Sequence, residues 1–399
     1  MENRDFRSYP KAHDGKRFLG GVTVFFWFAQ YVYIPFLTPY LFTLSMTATT
    51  VGLIVGAYGV TQLVLRIPVG ITVDIIRNHK LFILSGTFLA GLSSLGMMIF
   101  PSPVLLFVAN ALSGAASSTW ISFTILYPAY YEKWEGTKAI ATITQLMSAG
   151  TLAAFIVGGI LFERVGIRGL FIASFASGMA GCVLALFIRR EPAAGRVNIS
   201  IRDLIGVMKE KRLLFPSIMG VFMNLVIFGT VFSFTTSTAK NLGATGMELG
   251  ICAALHSAAV IPGAYFVRTR IAYKAGEKNL LLLAFLLLGI YCAGIAFSHA
   301  VVSFFPLQVI AGLGHGILVS SLMAQAIRYI DEERKSTAMG FYQSVYCIGM
   351  TMGPVFMGFL VDYASTRASF IIMAFIALAC AAAMPPMYRS NLLVQTKTS

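Results

Sequence analysis

The sequence predicts an all-helical integral membrane protein: twelve transmembrane helices in two pseudo-symmetric six-helix bundles, with both termini cytoplasmic. Three observations predict it. Of 399 residues, 57% are hydrophobic and only 12% charged, about half the charged fraction of roughly 25% usual in soluble domains. The apolar residues fall in runs of about 20, the length that crosses a hydrocarbon core of ~30 Å as a helix. A single long polar stretch, Arg189 to Arg212, divides these runs six from six.

The first six runs lie near 18–41, 50–73, 81–100, 104–127, 138–162 and 169–188; the second six near 215–238, 248–267, 279–297, 303–327, 337–361 and 368–387. The organisation is therefore a cytoplasmic arm (1–17), a bundle (18–188), a basic linker (189–214), a second bundle (215–387) and a tail (388–399). In the linker, Ile201, Leu204, Ile205 and Met208 share one face at helical spacing, which suits a helix lying on the cytoplasmic surface. The residues before Phe18 are polar and no small-residue cleavage site follows the first run, so that run is expected to stay as a transmembrane helix.

Charge sets the orientation. The net charge of +14 would suggest nucleic acid in a soluble protein, yet 25 of the 30 Lys and Arg fall on the side shared by both termini and the linker. Four, Arg164, Arg168, Lys240 and Arg367, fall on the other side, and Arg66 lies inside span 2. Basic residues favour cytoplasmic loops, so the excess is an address on the membrane and gives no reason to expect a nucleic-acid partner. The five cysteines, Cys182, Cys252, Cys292, Cys347 and Cys380, sit singly in apolar runs with no ligand spacing and read as packing residues.

The halves repeat. Gly159, Glu163 and Phe171 recur as Gly358, Asp362 and Phe370 at an offset of 199, and Gly114 recurs as Gly312 at 198. Pro68 and Asp74 match Pro262 and Arg268 at 194, a less secure register. Parallel repeats of this kind place a solute site near the bilayer midplane, where the two halves meet.

Between spans 2 and 3 the chain reads Arg66-Ile-Pro68-Val-Gly70-Ile-Thr-Val-Asp74-Ile-Ile-Arg77-Asn-His-Lys80. This run resembles the signature loop of the major facilitator superfamily, with Gly70, Asp74, Arg77 and Lys80 matching and Asn78 or His79 in place of the usual second glycine. With the twelve runs, the repeat and the basic linker, the resemblance covers nearly the whole chain. It implies the major facilitator fold and a gating latch centred on Asp74, with Arg66, Gly70, Arg77 and Lys80 around it. In the second half Arg268 and Arg270 stand where an acid is expected, so that copy is degenerate. The pattern is closest to the twelve-helix drug and metabolite efflux branch, with departures. The glycine-proline element of its fifth span is Gly150-Thr-Leu-Ala-Ala154-Phe155-Ile-Val-Gly158-Gly159 here, and a fuller version, Gly349 to Gly358 with Pro354, lies in span 11.

Polar residues in mid-membrane face the bundle interior by default. They are Gln30, Gln62, Asn110, Ser117, Gln145, Asn224, His256, Gln308, His315 and Gln343, with Phe26, Trp27, Tyr31, Tyr58, Trp120, Tyr342 and Tyr346 nearby. Such walls suit a neutral or amphipathic solute. An interhelical hydrogen bond is the competing reading for each amide. Spans 1, 4, 7 and 10 hold no central charge, so the solute is not expected to be held by a fixed ion pair. For Arg66 the latch and a snorkelling side chain rank above solute binding. His315 and His256 are the candidates for carrying a proton, against the competing reading of satisfied core histidines. Glu163 and Asp362, at the external ends of spans 5 and 11, read as solvated capping charges.

The function expected is secondary transport of a small organic solute by alternating access in the inner (plasma) membrane, proton-linked as the resemblance implies. Efflux is favoured; uptake of a small metabolite by a symporter or uniporter is the alternative. The chain has no GxxxxGK[ST] nucleotide loop, and no metal cluster, nucleophile–base pair or paired intramembrane carboxylates, so neither a cofactor nor an enzyme is expected. The expected partners are the solute, protons and the lipid bilayer, with the protein a monomer.

Overall fold

The computed structural model describes residues 12–76, 78–99, 101–132, 135–188, 211–328, 330 and 335–389, and among these there are helices and no strands. The first half comprises α1 (Ala12–Tyr31), α2 (Ile34–Thr43), α3 (Ala48–Ile76), α4 (His79–Ile99), α5 (Pro103–Ser118), α6 (Trp120–Ala129) and α7 (Gly136–Leu186). The second half comprises α8 (Lys211–Gly229), a π-helical turn (Thr230–Phe234), α9 (Thr235–Asn241), α10 (Gly246–Phe266), α11 (Arg270–Ala296), α12 (Phe304–Arg328), α13 (Lys335–Tyr363) and α14 (Thr366–Arg389). The amphipathic segment 199–208, both termini and Arg77 lie outside the described residues.

Eleven helical stretches among the described residues are long and apolar enough to cross a membrane. One of them contains α7, whose 51 residues would run about 77 Å if straight, more than twice a bilayer core. It is broken at Gly166, where φ is +64°, a left-handed conformation that a side chain would strain. Each arm of α7, 136–165 and 167–186, is long enough to cross alone. Large apolar side chains lie exposed around the outside, Phe375 at 68% and Val104 at 72% among them, as a bundle needs when its solvent is lipid.

The start of α1, the end of α7, the start of α8 and the end of α14 lie at one end of the bundle, here the terminal face, and the turns at Ser45 and Gly166 lie at the opposite face. At the opposite face the halves meet closely. A Cβ on Gly52 would collide with the carbonyl of Pro354, one on Gly56 or Gly59 with the backbone of Thr351, and one on Gly358 with the carbonyl of Ala48. Backbones of α3 and α13 thus touch because those positions lack side chains. Gly159 of α7 and Gly250 of α10 make the pseudo-symmetric contact.

Two carboxylates close this face further. Asp362 accepts hydrogen bonds from the backbone N–H groups of Ala48 (2.9 Å) and Thr49 (2.7 Å) at the start of α3. Glu163 accepts from the N–H of Gly246 at the start of α10. Each acid therefore caps a helix of the other half, satisfying N–H groups that no helical carbonyl reaches. Both acids are exposed and cap helices, as the sequence led us to expect; what it did not show is that the helices they cap belong to the other half, with partners 83 and 314 positions distant.

Toward the terminal face the approach ends. Gly70 faces only Ile121 of its own half, at the ordinary contact distance of 3.4 Å, and Gly340 of α13 has nothing within 4 Å. The Gly358→Ala variant is expected to lower stability by about 1–3 kcal/mol, the range for overpacking, because backbone is what the new methyl meets. Gly340→Ala should be neutral; thermal unfolding of the two variants in detergent micelles checks both.

Candidate functional site

Between the halves lies a cleft lined by Gln30 and Tyr31 of α1, Ile34 and Leu37 of α2, Val55 and Tyr58 of α3, Asn110 of α5, Phe228 of α8 and Phe232. Its space for water-sized molecules is about 30 Å³, so the cleft is narrow in this conformation. Phe232 reaches the cleft from the π-helical turn, whose Ser233 hydroxyl bonds back to the carbonyls of Phe228 (2.6 Å) and Gly229 (2.7 Å). A π turn inserts one residue into the helical ladder and re-aims the side chains beyond it.

The first half supplies a polar wall whose members hold one another. The Gln30 amide donates to the carbonyl of Ser113 (3.1 Å), the Ser113 hydroxyl donates to Gln30 Oε1, and the Tyr33 hydroxyl donates to Ser113 Oγ (3.3 Å). Asn110 Nδ2 donates to the carbonyls of Ile54 (2.7 Å) and Val55 (3.1 Å), while its Oδ1 is buried without a protein partner. That oxygen belongs to a residue of the cleft wall.

The repeat places two pairs in equivalent positions. In the first half the Tyr58 hydroxyl donates to Ser117 Oγ at 2.9 Å. In the second, 198 positions on, His256 Nε2 and His315 Nδ1 lie 3.2 Å apart, their rings stacked with centroids at 5.4 Å. Gly114 packs against the Tyr58 carbonyl as Gly312 packs against that of His256. His256 is buried, 1% exposed, and His315 half-buried, and the two facing nitrogens stand at hydrogen-bond distance, the donor being set by the tautomer. Phe232 stands edge-on to His256 at 5.5 Å, so a ring of the cleft wall separates cleft from pair.

Arg66 stands apart from the loop group with which the sequence placed it. From within α3 its Nη1 donates to Gln62 Oε1 (3.1 Å) and reaches the Tyr346 hydroxyl (3.5 Å) and Cys347 Sγ (4.0 Å) on α13, with the guanidinium 5.9 Å from the Tyr346 ring. It bridges the halves. Lys80 instead donates to the carbonyl of Leu186 (2.5 Å), inside its own half. The Asp74 side chain, like Arg77, lies outside the described residues.

The remaining expected site residues are dispersed. Trp27 and Trp120 pack edge to face (5.1 Å) in the core of the first half, and Trp27 meets the cleft only through Tyr31 (5.6 Å). Asn224 bonds back to its own helix at Gly220 (3.0 Å). Gln308, the repeat partner of Asn110, is buried with Oε1 unpaired. Gln343 offers Cys347 its backbone carbonyl (3.1 Å), Tyr346 stands edge-on to Tyr342 at 5.3 Å, and Gln145 is exposed. Sequence reasoning missed Ser113, Phe228 and Phe232. Ser113 adjoins the repeated Gly114 and could have been found there; a π turn leaves no sequence signal that would have found Phe232.

A sequence model of the Major Facilitator Superfamily matches residues 19–239 and 214–392. The chain belongs to that superfamily. It is similar to an uncharacterised transporter of this type from Methanocaldococcus jannaschii, at 27% identity over 82% of this chain and 86% of the relative. It is also similar to a multi-drug resistance efflux pump homologue from Lactococcus lactis, at 23% over 85% and 86%. In fold it matches a bacterial homologue of the human lysosomal transporter Spinster, solved inward-facing and unoccupied, with a TM-score of 0.79 at 14% identity over 98% of this chain and 99% of the other. A mutant of the nucleoside transporter NupG gives 0.78 at 15% over 94% and 100%. This superfamily member is a multi-pass membrane protein and a transporter of small-molecule solutes, consistent with its not being an enzyme.

Ser113→Ala removes the hydroxyl that both Gln30 and Tyr33 contact. Its expected cost is about 0.6 kcal/mol and at most about 1.7, the measured span for such bonds in a membrane, read as a small fall in thermal midpoint.

Proposed function

We propose that this transporter is a proton-linked exporter of a small organic solute, working by alternating access as a monomer in the inner (plasma) membrane. The observation that carries the reading is the cleft itself: aromatic and amide-lined, set between the halves, with the α3–α13 contact and the two carboxylate caps joining the halves at one face. In the proposed orientation, with twelve crossings and both termini cytoplasmic, the closed face is external and the cleft opens toward the cytoplasm. A solute would enter from the cell interior, and rocking of the halves about the cleft would release it outside. The similarity to an efflux pump homologue supports the outward direction.

Proton linkage is assigned to the His256–His315 pair. The pair lies one aromatic ring from the cleft, close enough for solute packing against Phe232 to alter its surroundings. The proposed gate on the cytoplasmic side is the loop of Gly70, Asp74, Arg77 and Lys80.

In proteoliposomes with an imposed pH gradient, a panel of aromatic and amphipathic solutes is expected to include at least one whose movement follows the gradient. His315→Gln should flatten the pH dependence of that movement while leaving solute binding in place. Movement indifferent to the gradient, or an unchanged pH profile in the variant, removes the proton-linked reading.

A further inference from the structure

Arg66 is a cation without a counter-ion among the described residues. Among the described residues the ion pairs are Lys138 with Glu135 and Arg328 with Glu277, and every recorded partner of Arg66 is neutral: Gln62, Tyr346 and Cys347. A charge inside a membrane-spanning segment is costly and calls for a partner or a wet cavity. Snorkelling does not supply one. Arg66 stands ten residues before the end of α3, about 15 Å along the helix axis, farther than its side chain extends, and its guanidinium turns to the facing half.

The guanidinium is also only partly used. All three recorded contacts come from Nη1, so the donors on Nη2 and Nε are uncommitted. Neither nitrogen is among the buried, unpartnered polar atoms, so they open onto accessible space. Two adjacent N–H groups in a rigid fork match the two oxygens of a carboxylate or phosphate. Tyr58 of the cleft wall, Gln62 and Arg66 follow one another at four-residue spacing on one face of α3, so the fork lies two turns along that helix from the cleft.

We propose that Arg66 anchors the anionic group of the transported solute, so that the solute class is an organic anion: a carboxylate or phosphate carried on an aromatic or apolar body. The fork takes the two oxygens, the Tyr346 hydroxyl and Gln62 flank them, and Tyr31, Tyr58, Phe228 and Phe232 pack the body. Because Arg66 reaches both halves, an anion bound there touches the elements that alternating access must move. The proposal rests on the transporter reading above and adds the charge of the cargo to it.

The test uses the full-length protein in lipid-free detergent micelles and isothermal titration calorimetry with two matched probes, 1-naphthoate and 1-naphthalenemethanol. The wild type is expected to bind naphthoate at least about tenfold more tightly than the alcohol, one tenfold step being ~1.4 kcal/mol. Arg66→Gln should abolish that preference while leaving alcohol binding unchanged, which shows the variant folded. Arg66→Lys, which keeps the charge and loses the fork, should retain only part of it. Equal binding of the two probes by the wild type, or an undiminished preference in Arg66→Gln, overturns the proposal and leaves the transporter reading standing. Displacement of naphthoate by added phosphatidylglycerol also overturns it, because the anion would then be a lipid headgroup. Failure of both probes to bind overturns it together with the organic-solute cleft on which it rests.

Discussion

The close approach of α3 and α13 at Gly52, Gly56, Gly59 and Gly358 governs the rest of the structure. In lipid there is no hydrophobic drive to bring two apolar helices together, so contact depends on dispersion and shape. Four positions without side chains let two backbones touch along the first turns of α3 and the last of α13. Beyond that end the halves meet again where Arg66 reaches Tyr346 and Cys347, and the cleft lies between them. The main apolar core follows the same line: Tyr33, Phe36, Val51 and Ile54 of the first half pack in one cluster with Met223, Ile227 and Phe234 of the second, while the core around Phe26, Trp27 and Phe123 stays within the first half.

Duplication explains where the chemistry sits and divergence explains its kind. The same crossing of two helices holds Tyr58 with Ser117 in one half and His256 with His315 in the other. A hydroxyl pair can orient a polar solute but has no proton to trade near neutral pH. The imidazole pair differs in kind, offering two ring nitrogens within hydrogen-bond distance of each other. Arg66 has Ala264 as its counterpart at the same offset, so the cation too belongs to one half only. Two similar bundles thus present different walls to one cleft, amide and phenol from the first half and the rings of Phe228 and Phe232 from the second.

The fold was legible because a bilayer forces its signals into composition: runs of about 20 apolar residues, basic loops on one side, one polar linker. The helical organisation at Gln30, Tyr58 and Asn110 followed, since an amide or phenol in mid-membrane must face inward. What sequence could not supply was direction within the interior. Trp27 and Asn224 face inward as expected yet are absorbed by neighbours in their own half, and no periodicity separates a core-facing from a cleft-facing position. Arg66 stands inside span 2, as its sequence position implied, about 12 Å along the helix from Asp74; what its own segment could not show is its neighbour on the other half, Tyr346.

Alternation requires that the closed face be stable enough to hold and weak enough to part. A carboxylate at an exposed helix N-terminus contributes about 0.3–1 kcal/mol, so the caps by Asp362 and Glu163 cannot lock the halves. Nor can the glycine contacts alone, since lipid tails can replace much of the dispersion they provide. Together they favour the closed face by a few kcal/mol at most, within the range that lets a minor conformer be populated at about 0.1–10%. An interface built from buried ion pairs or large interlocking side chains would have put the second conformer out of reach. The use of small residues and exposed caps, at the one place where the halves touch most closely, fits a joint that opens in every transport cycle.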